Sequence, residues 1–150
     1  MKCRAWIIDD FQIELDRAQE VITSTARDMD VTIESTPSQR FVWPLAENTR
    51  PDIVILDLYN DQALDGIDIY KCIREEEQHL KKNGGNFKNH INAECYIILW
   101  SSFLGSPEAM EYFQPRSYVD HRLTLCTVKS KVLLKNALTG CIKRMLEEDI

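Results

Sequence analysis

Three runs of this sequence are apolar at nearly every position: AWII at 5–8, IVIL at 53–56 and YIILW at 96–100. A run with no polar face must be covered on both sides, which is the condition of the central strands of a parallel sheet. Two further candidates, VTI at 31–33 and LTLCTV at 123–128, are shorter or alternate with polar residues. Strands of that kind have one sheltered side and belong at the edges.

Helical periodicities lie between the runs. Leu15, Ala18, Val21, Ile22 and Ala26 form one stripe, Ile69, Tyr70, Ile73 and Leu80 a second, and Leu134, Leu138, Cys141, Met145 and Leu146 a third. Thr36-Pro37 followed by Gln39 reads as a helix cap, a first-turn proline and a capping-box glutamine, and Ser106-Pro107-Glu108 repeats the cap and proline. The spacing therefore predicts strands over 3–8, 31–35, 53–56, 95–100 and 123–128, alternating with helices over 12–27, 37–47, 67–81, 107–113 and 131–148. Pro44 should kink or end the second helix, and the polar stretch 81–92 should be a long connector.

This is an α/β chain, and 150 residues that are 44% hydrophobic suffice for a single domain spanning 1–150. With the weaker strands outermost and right-handed crossovers, the expected architecture is a doubly wound five-stranded parallel sheet. Its order is 2-1-3-4-5, with helices on both faces. Strands 1 and 3 then meet where the winding reverses, and ligands bind there, beyond the carboxyl ends of the strands.

Charge narrows the partners. A net charge of −6 and a pI near 5.1 disfavour nucleic acid and anionic membranes, leaving a cation, a small molecule or a protein. The opening MKCRAWIIDD lacks the features of a secretion signal and no run reaches membrane-spanning length, so the expected location is cytoplasmic. The five cysteines are scattered and form no C-x-x-C pair, which fits reduced thiols. His79, His90 and His121 are isolated and read as surface residues, and the acidic run at 75–77 reads as a solvated face.

The chemistry gathers at the strand ends. The first strand runs into Asp9 and Asp10 and the third into Asp57, so neighbouring strands deliver three carboxylates to one crevice. A single acid in such a place can equally be a helix cap; acids after two adjacent strands point to a shared site. Their mutual repulsion would be relieved by a hard divalent cation with oxygen ligands, and Mg2+ suits a site with few carboxylates and room for water or a phosphate oxygen. On the same rim the fourth strand ends in Ser101 and Ser102 and the fifth in Lys129, a hydroxyl and an ammonium of the kind that hold a phosphoryl oxygen.

Taken together, WIIDDF, PDIVILDL, LDGIDIYKCIR, IILWSS and VKS, in this order along nearly the whole chain, resemble the receiver domain of two-component response regulators. The resemblance implies a flavodoxin-like fold with Asp57 as phosphoacceptor. It also implies Mg2+ held by Asp9, Asp10, Asp57 and the backbone carbonyl of Tyr59, Ser101 bonded to a phosphoryl oxygen, and Lys129 paired with the phosphorylated carboxylate. Asp65 and Gly66 would form the turn opening the third helix. The implied donor is a sensor histidine kinase or phosphotransfer protein. Output would pass to an unknown downstream effector protein, or to a homodimer, through the face of 107–113, 123–128 and 131–148. The expected form is a stand-alone receiver, a Mg2+-dependent switch rather than a turnover enzyme, with a receiver excised from a longer regulator as the other form.

Several positions depart from the pattern. Asp57 and Asp65 stand one residue further apart than is usual, Ser130 replaces the proline that normally follows the lysine, and Cys126 replaces the switch aromatic. Signalling would then rest on Ser101 and on movement of 103–118, while Tyr59 and Phe103 would obstruct the hydrolytic water. The same departures define the alternative, a pseudo-receiver binding partners without phosphorylation. A phosphohydrolase of the haloacid dehalogenase type would need a second aspartate at position 59, which is Tyr59, and neither glycine-rich nucleotide motif occurs.

Overall fold

The computed structural model describes residues 1–39, 50–58, 66–82 and 94–148. Within these the chain runs β1 (Lys2–Ile8), α1 (Gln12–Met29), β2 (Thr32–Ser38), β3 (Ile53–Leu56), α2 (Gly66–Lys82), β4 (Tyr96–Trp100), a 3-10 turn (Ser102–Gly105), α3 (Pro107–Ser117), β5 (Leu123–Cys126) and α4 (Lys131–Glu148). The five strands are all parallel, in the order β2-β1-β3-β4-β5. The apolar runs at β1, β3 and β4 occupy the centre, as continuous burial requires.

Side-chain alternation along these strands divides the interior into two cores. Ala5, Ile7, Ile53, Ile55, Ile98 and Trp100 pack with Leu15, Ala18 and Ile22 of α1 and Leu134, Leu138 and Ile142 of α4. Trp6, Ile8, Val54, Leu56, Ile97 and Leu99 pack on the other face with Ile69, Tyr70 and Ile73 of α2 and Ala109 and Phe113 of α3. Helices therefore cover both faces, which makes the domain doubly wound. None of the described helices is long and apolar enough to cross a membrane.

One expected element is overturned. Thr36 and Pro37 do not open a helix: β2 continues through Ser38, with Thr36, Pro37 and Ser38 in register with Trp6, Ile7 and Ile8. The cap signal is local, whereas pairing along the whole of β1 is worth more, and a proline is tolerated because β2 is an edge strand. The rest of the expected helix with Pro44, most of the 81–92 connector, His90, Tyr59 and Asp65 lie outside the described residues, as do the side chains of 75–82 and Phe103.

The other boundaries move less. Helix α3 runs four residues beyond its expected end, to Ser117, and contains Pro115 in its last turn. Its start is as expected, with the Ser106 hydroxyl accepting the Ala109 N–H at 3.4 Å. Strand β5 stops at Cys126, short of 128. Helix α1 buries Thr25 in its stripe, its hydroxyl donating to the Val21 carbonyl at 2.7 Å. His121 is exposed, and the described cysteines are free thiols, as their spacing led us to expect.

Candidate functional site

The ladders beside β1 continue one residue past the strand ends. The Asp9 N–H donates to the Ser38 carbonyl at 3.1 Å and the Asp57 N–H to the Ile8 carbonyl at 3.0 Å. These bonds set Asp9 and Asp57 level with each other at the carboxyl edge of the sheet. Carboxylate oxygens of Asp9, Asp10 and Asp57 lie within 4.8 Å of one another. Asp9 is 2% exposed and Asp57 7%, so two of the three acids are buried. Asp9 is further held by the Phe11 N–H, 3.0 Å from its Oδ1.

Lys129 and Ser101 complete the cluster from the next two strands. Buried Ser101 follows β4, its N–H bonded to the Cys126 carbonyl at 3.2 Å and its hydroxyl to Asp57. The Lys129 ammonium pairs with Asp9, stands 3.5 Å from Asp57 Oδ2 and 3.7 Å from Glu14 Oε2. The structure thus brings together Asp9, Asp10, Asp57, Ser101 and Lys129; Tyr59, whose carbonyl was the expected further ligand, is outside the described residues.

Gly66, the first residue of α2, packs against Leu58. Its N–H donates to the Leu58 carbonyl at 2.7 Å, and a Cβ on Gly66 would stand 2.7 Å from the Leu58 Cα, so any larger residue would displace the backbone next to Asp57.

The electrostatics show what the cluster lacks. Burial pushes the Asp57 carboxyl up to about 6 against the pull of Lys129, with Asp9 and Asp10 adding to the rise and Ser101 opposing it. Asp9 is also raised, because burial outweighs the Lys129 ammonium and the Phe11 N–H. The ammonium therefore does not offset the burial and crowding of these acids. A set of donors that is oxygen only, clustered and short of positive charge fits a hard divalent cation such as Mg2+.

Two departures have visible structural consequences. Ser130 caps α4, its hydroxyl accepting the N–H groups of Val132 at 3.2 Å and Leu133 at 3.4 Å. The described peptide bonds are all trans, including the one between Lys129 and Ser130. Cys126 is buried among apolar side chains beside α4, its Sγ 3.8 Å from the Leu133 carbonyl.

Sequence reasoning missed the surroundings of Lys129. Besides Glu14, the Trp100 ring lies 5.4 Å from the ammonium, and Arg17 reaches the Lys129 carbonyl at 3.0 Å. The available signal was the pair Glu14 and Arg17, three apart on a helix that starts directly after Asp9 and Asp10.

Comparison with known proteins agrees with this architecture. The chain is similar to the signal receiver domain of a DNA binding response regulator from Colwellia psychrerythraea 34H, with TM-score 0.57 and 17% identity over 97% of this chain and 98% of that one. It is similar to the receiver domain of the Francisella response regulator 1452, with TM-score 0.51 and 17% identity over 95% and 98%. A short-chain flavodoxin associated with a bacterial microcompartment aligns with TM-score 0.53 and 9% identity over 96% and 98%. No protein-family model matches the sequence, and no curated protein does. The chain has the flavodoxin-like fold of response regulator receiver domains.

Proposed function

We propose that the chain, as one domain over 1–150, is a phosphorylatable receiver that takes a phosphoryl group onto Asp57 and signals through protein contacts. The observation that carries this reading is the convergence of Asp9, Asp10 and Asp57 within 4.8 Å, with Lys129 3.5 Å from Asp57. A metal-binding acid cluster alone would not need an ammonium paired with Asp9 and standing 3.5 Å from Asp57, together with a buried hydroxyl bonded to Asp57.

In the reaction an Asp57 oxygen attacks the phosphorus of a phosphohistidine on a kinase or phosphotransfer protein. The P–N bond breaks and its electron pair leaves with the imidazole. Lys129 moves from Asp9 toward the phosphoryl oxygens, and the Ser101 hydroxyl donates to one of them. Asp9, Asp10 and Asp57 would hold Mg2+, with the Tyr59 carbonyl as a further ligand. Bound there, the ion would supply positive charge to the phosphoryl oxygens. Output then passes to an effector protein or a second copy of the chain across α3, β5 and α4.

Incubation with acetyl phosphate and Mg2+ followed by intact mass tests the reading. The wild type should gain one phosphoryl group, and neither Asp57→Asn nor metal-free protein should. A wild type that gains nothing would refute phosphorylation and favour a pseudo-receiver that binds partners unmodified.

A further inference from the structure

We propose that Arg17 and Trp100 form a clamp that positions Lys129 for its role at Asp57. The proposal rests on the receiver reading above. Lys129 sits between β5 and α4, at residues 127–130 that belong to neither element. Two consecutive carbonyls of this stretch are gripped from outside it. The Arg17 guanidinium donates to the Lys129 carbonyl at 3.0 Å from α1, and the Trp100 indole N–H donates to the Ser130 carbonyl at 3.0 Å from the end of β4.

The two grips share one platform. The Arg17 guanidinium lies 5.5 Å and the Lys129 ammonium 5.4 Å from the Trp100 ring centroid, both in cation–π range. Glu14 joins them, accepting from Arg17 Nη1 at 2.8 and 3.1 Å while standing 3.7 Å from the Lys129 ammonium. Trp100 is 1% exposed, which fixes the ring and hence the lysine's path across it.

The sequence context gives the clamp a reason. With Ser130 in a trans peptide, proline does not stiffen the residue after the lysine. The stretch needs another restraint if the ammonium is to reach Asp57 reproducibly, since a displacement of about 1 Å can cost about a hundredfold in rate. Arg17 and Trp100 contact the Lys129 and Ser130 carbonyls and the lysine's ammonium and act through Lys129, so they are positioning residues.

The test uses Arg17→Gln and Trp100→Phe in the full chain, each checked for folding by circular dichroism. Arg17 is partly exposed, so its variant is expected to fold even if the Trp100 variant does not. Two readouts are taken. The rate of phosphoryl uptake from acetyl phosphate with saturating Mg2+ should fall about tenfold or more in each folded variant. In a Lys129→Ala background the same substitutions should have no further effect, because their influence passes through the lysine. A purely structural effect would lower the rate equally in both backgrounds.

The second readout is the acetylation of Lys129 by acetic anhydride, measured on peptides relative to Lys131 and Lys135. It should rise severalfold when the clamp is broken. Unchanged uptake, equal losses with and without Lys129, or an unchanged footprint would each overturn the proposal. If the wild type takes up no phosphoryl group, the receiver reading fails and the footprint alone decides whether the clamp holds the lysine.

Discussion

At Asp57, burial and the neighbouring Asp9 push the carboxyl up to about 6 against the pull of Lys129, from an ordinary 3.8. The folded chain therefore binds the proton more tightly than the unfolded chain, and stability that this group contributes below pH 3.8 is lost as the pH rises to about 6. Asp57→Asn removes that loss. In chelator-containing buffer its unfolding free energy from urea denaturation should exceed the wild type's by an amount that grows across this window, reaching up to about 3 kcal/mol. An equal difference at pH 4 and pH 7 would contradict this. Two bulkier positions come from the sequence: on the receiver reading, Tyr59 and Phe103 would obstruct the hydrolytic water. Tyr59→Asn and Phe103→Glu should each speed its loss severalfold, measured as decay of the phosphorylated mass after donor removal. Which residues carry charge to the rim was legible, because each follows a strand candidate. Arg17 and Trp100 were not, because a contact spanning 112 positions leaves no local pattern.

Helix α2 ties the site to the opposite side of the molecule. It starts at Gly66, against Leu58, and continues to Tyr70 and Arg74, which meet Asp120 at 2.6 and 2.9 Å. Tyr70 also packs edge-on against Phe113 of α3 at 5.5 Å, and Phe113 against Tyr112 at 5.0 Å. Gly66→Ala should cost about 1–3 kcal/mol by urea denaturation, since the new methyl meets backbone rather than a movable side chain. Burial pushes the Asp120 carboxyl up, but hydrogen bonds from Tyr70 and Arg74 outweigh it and hold the group below its ordinary 3.8. Its contribution is present above that value and fades as the pH falls below it. Asp120→Asn should thus destabilise the fold by about 1–3 kcal/mol at pH 7 and progressively less in acid, compared with the wild type by thermal melting. Elements whose evidence is periodic, such as α1 and α4, could be read from sequence. The helix expected to begin at Pro37 was misread because Thr-Pro-x-Gln is a local signal, and the competing partner, β1, lies some thirty residues away in the chain.

For the molecule as a whole, the sheet order followed from how completely each strand is apolar. Continuous runs have to be central and weak ones peripheral, and the order 2-1-3-4-5 with right-handed crossovers satisfies this. The two faces of that sheet are packed independently, α1 and α4 on one and α2 and α3 on the other. The packing also separates two buried indoles, Trp6 on the α2 side and Trp100 on the α1 side. Of these two, Trp100 has an ammonium from the site against its ring. Its ultraviolet emission is thus a built-in voltmeter for Lys129: when the ammonium shifts, the field across the excited indole changes. The difference spectrum between wild type and Trp100→Phe would follow occupancy of the crevice in real time, without any attached dye.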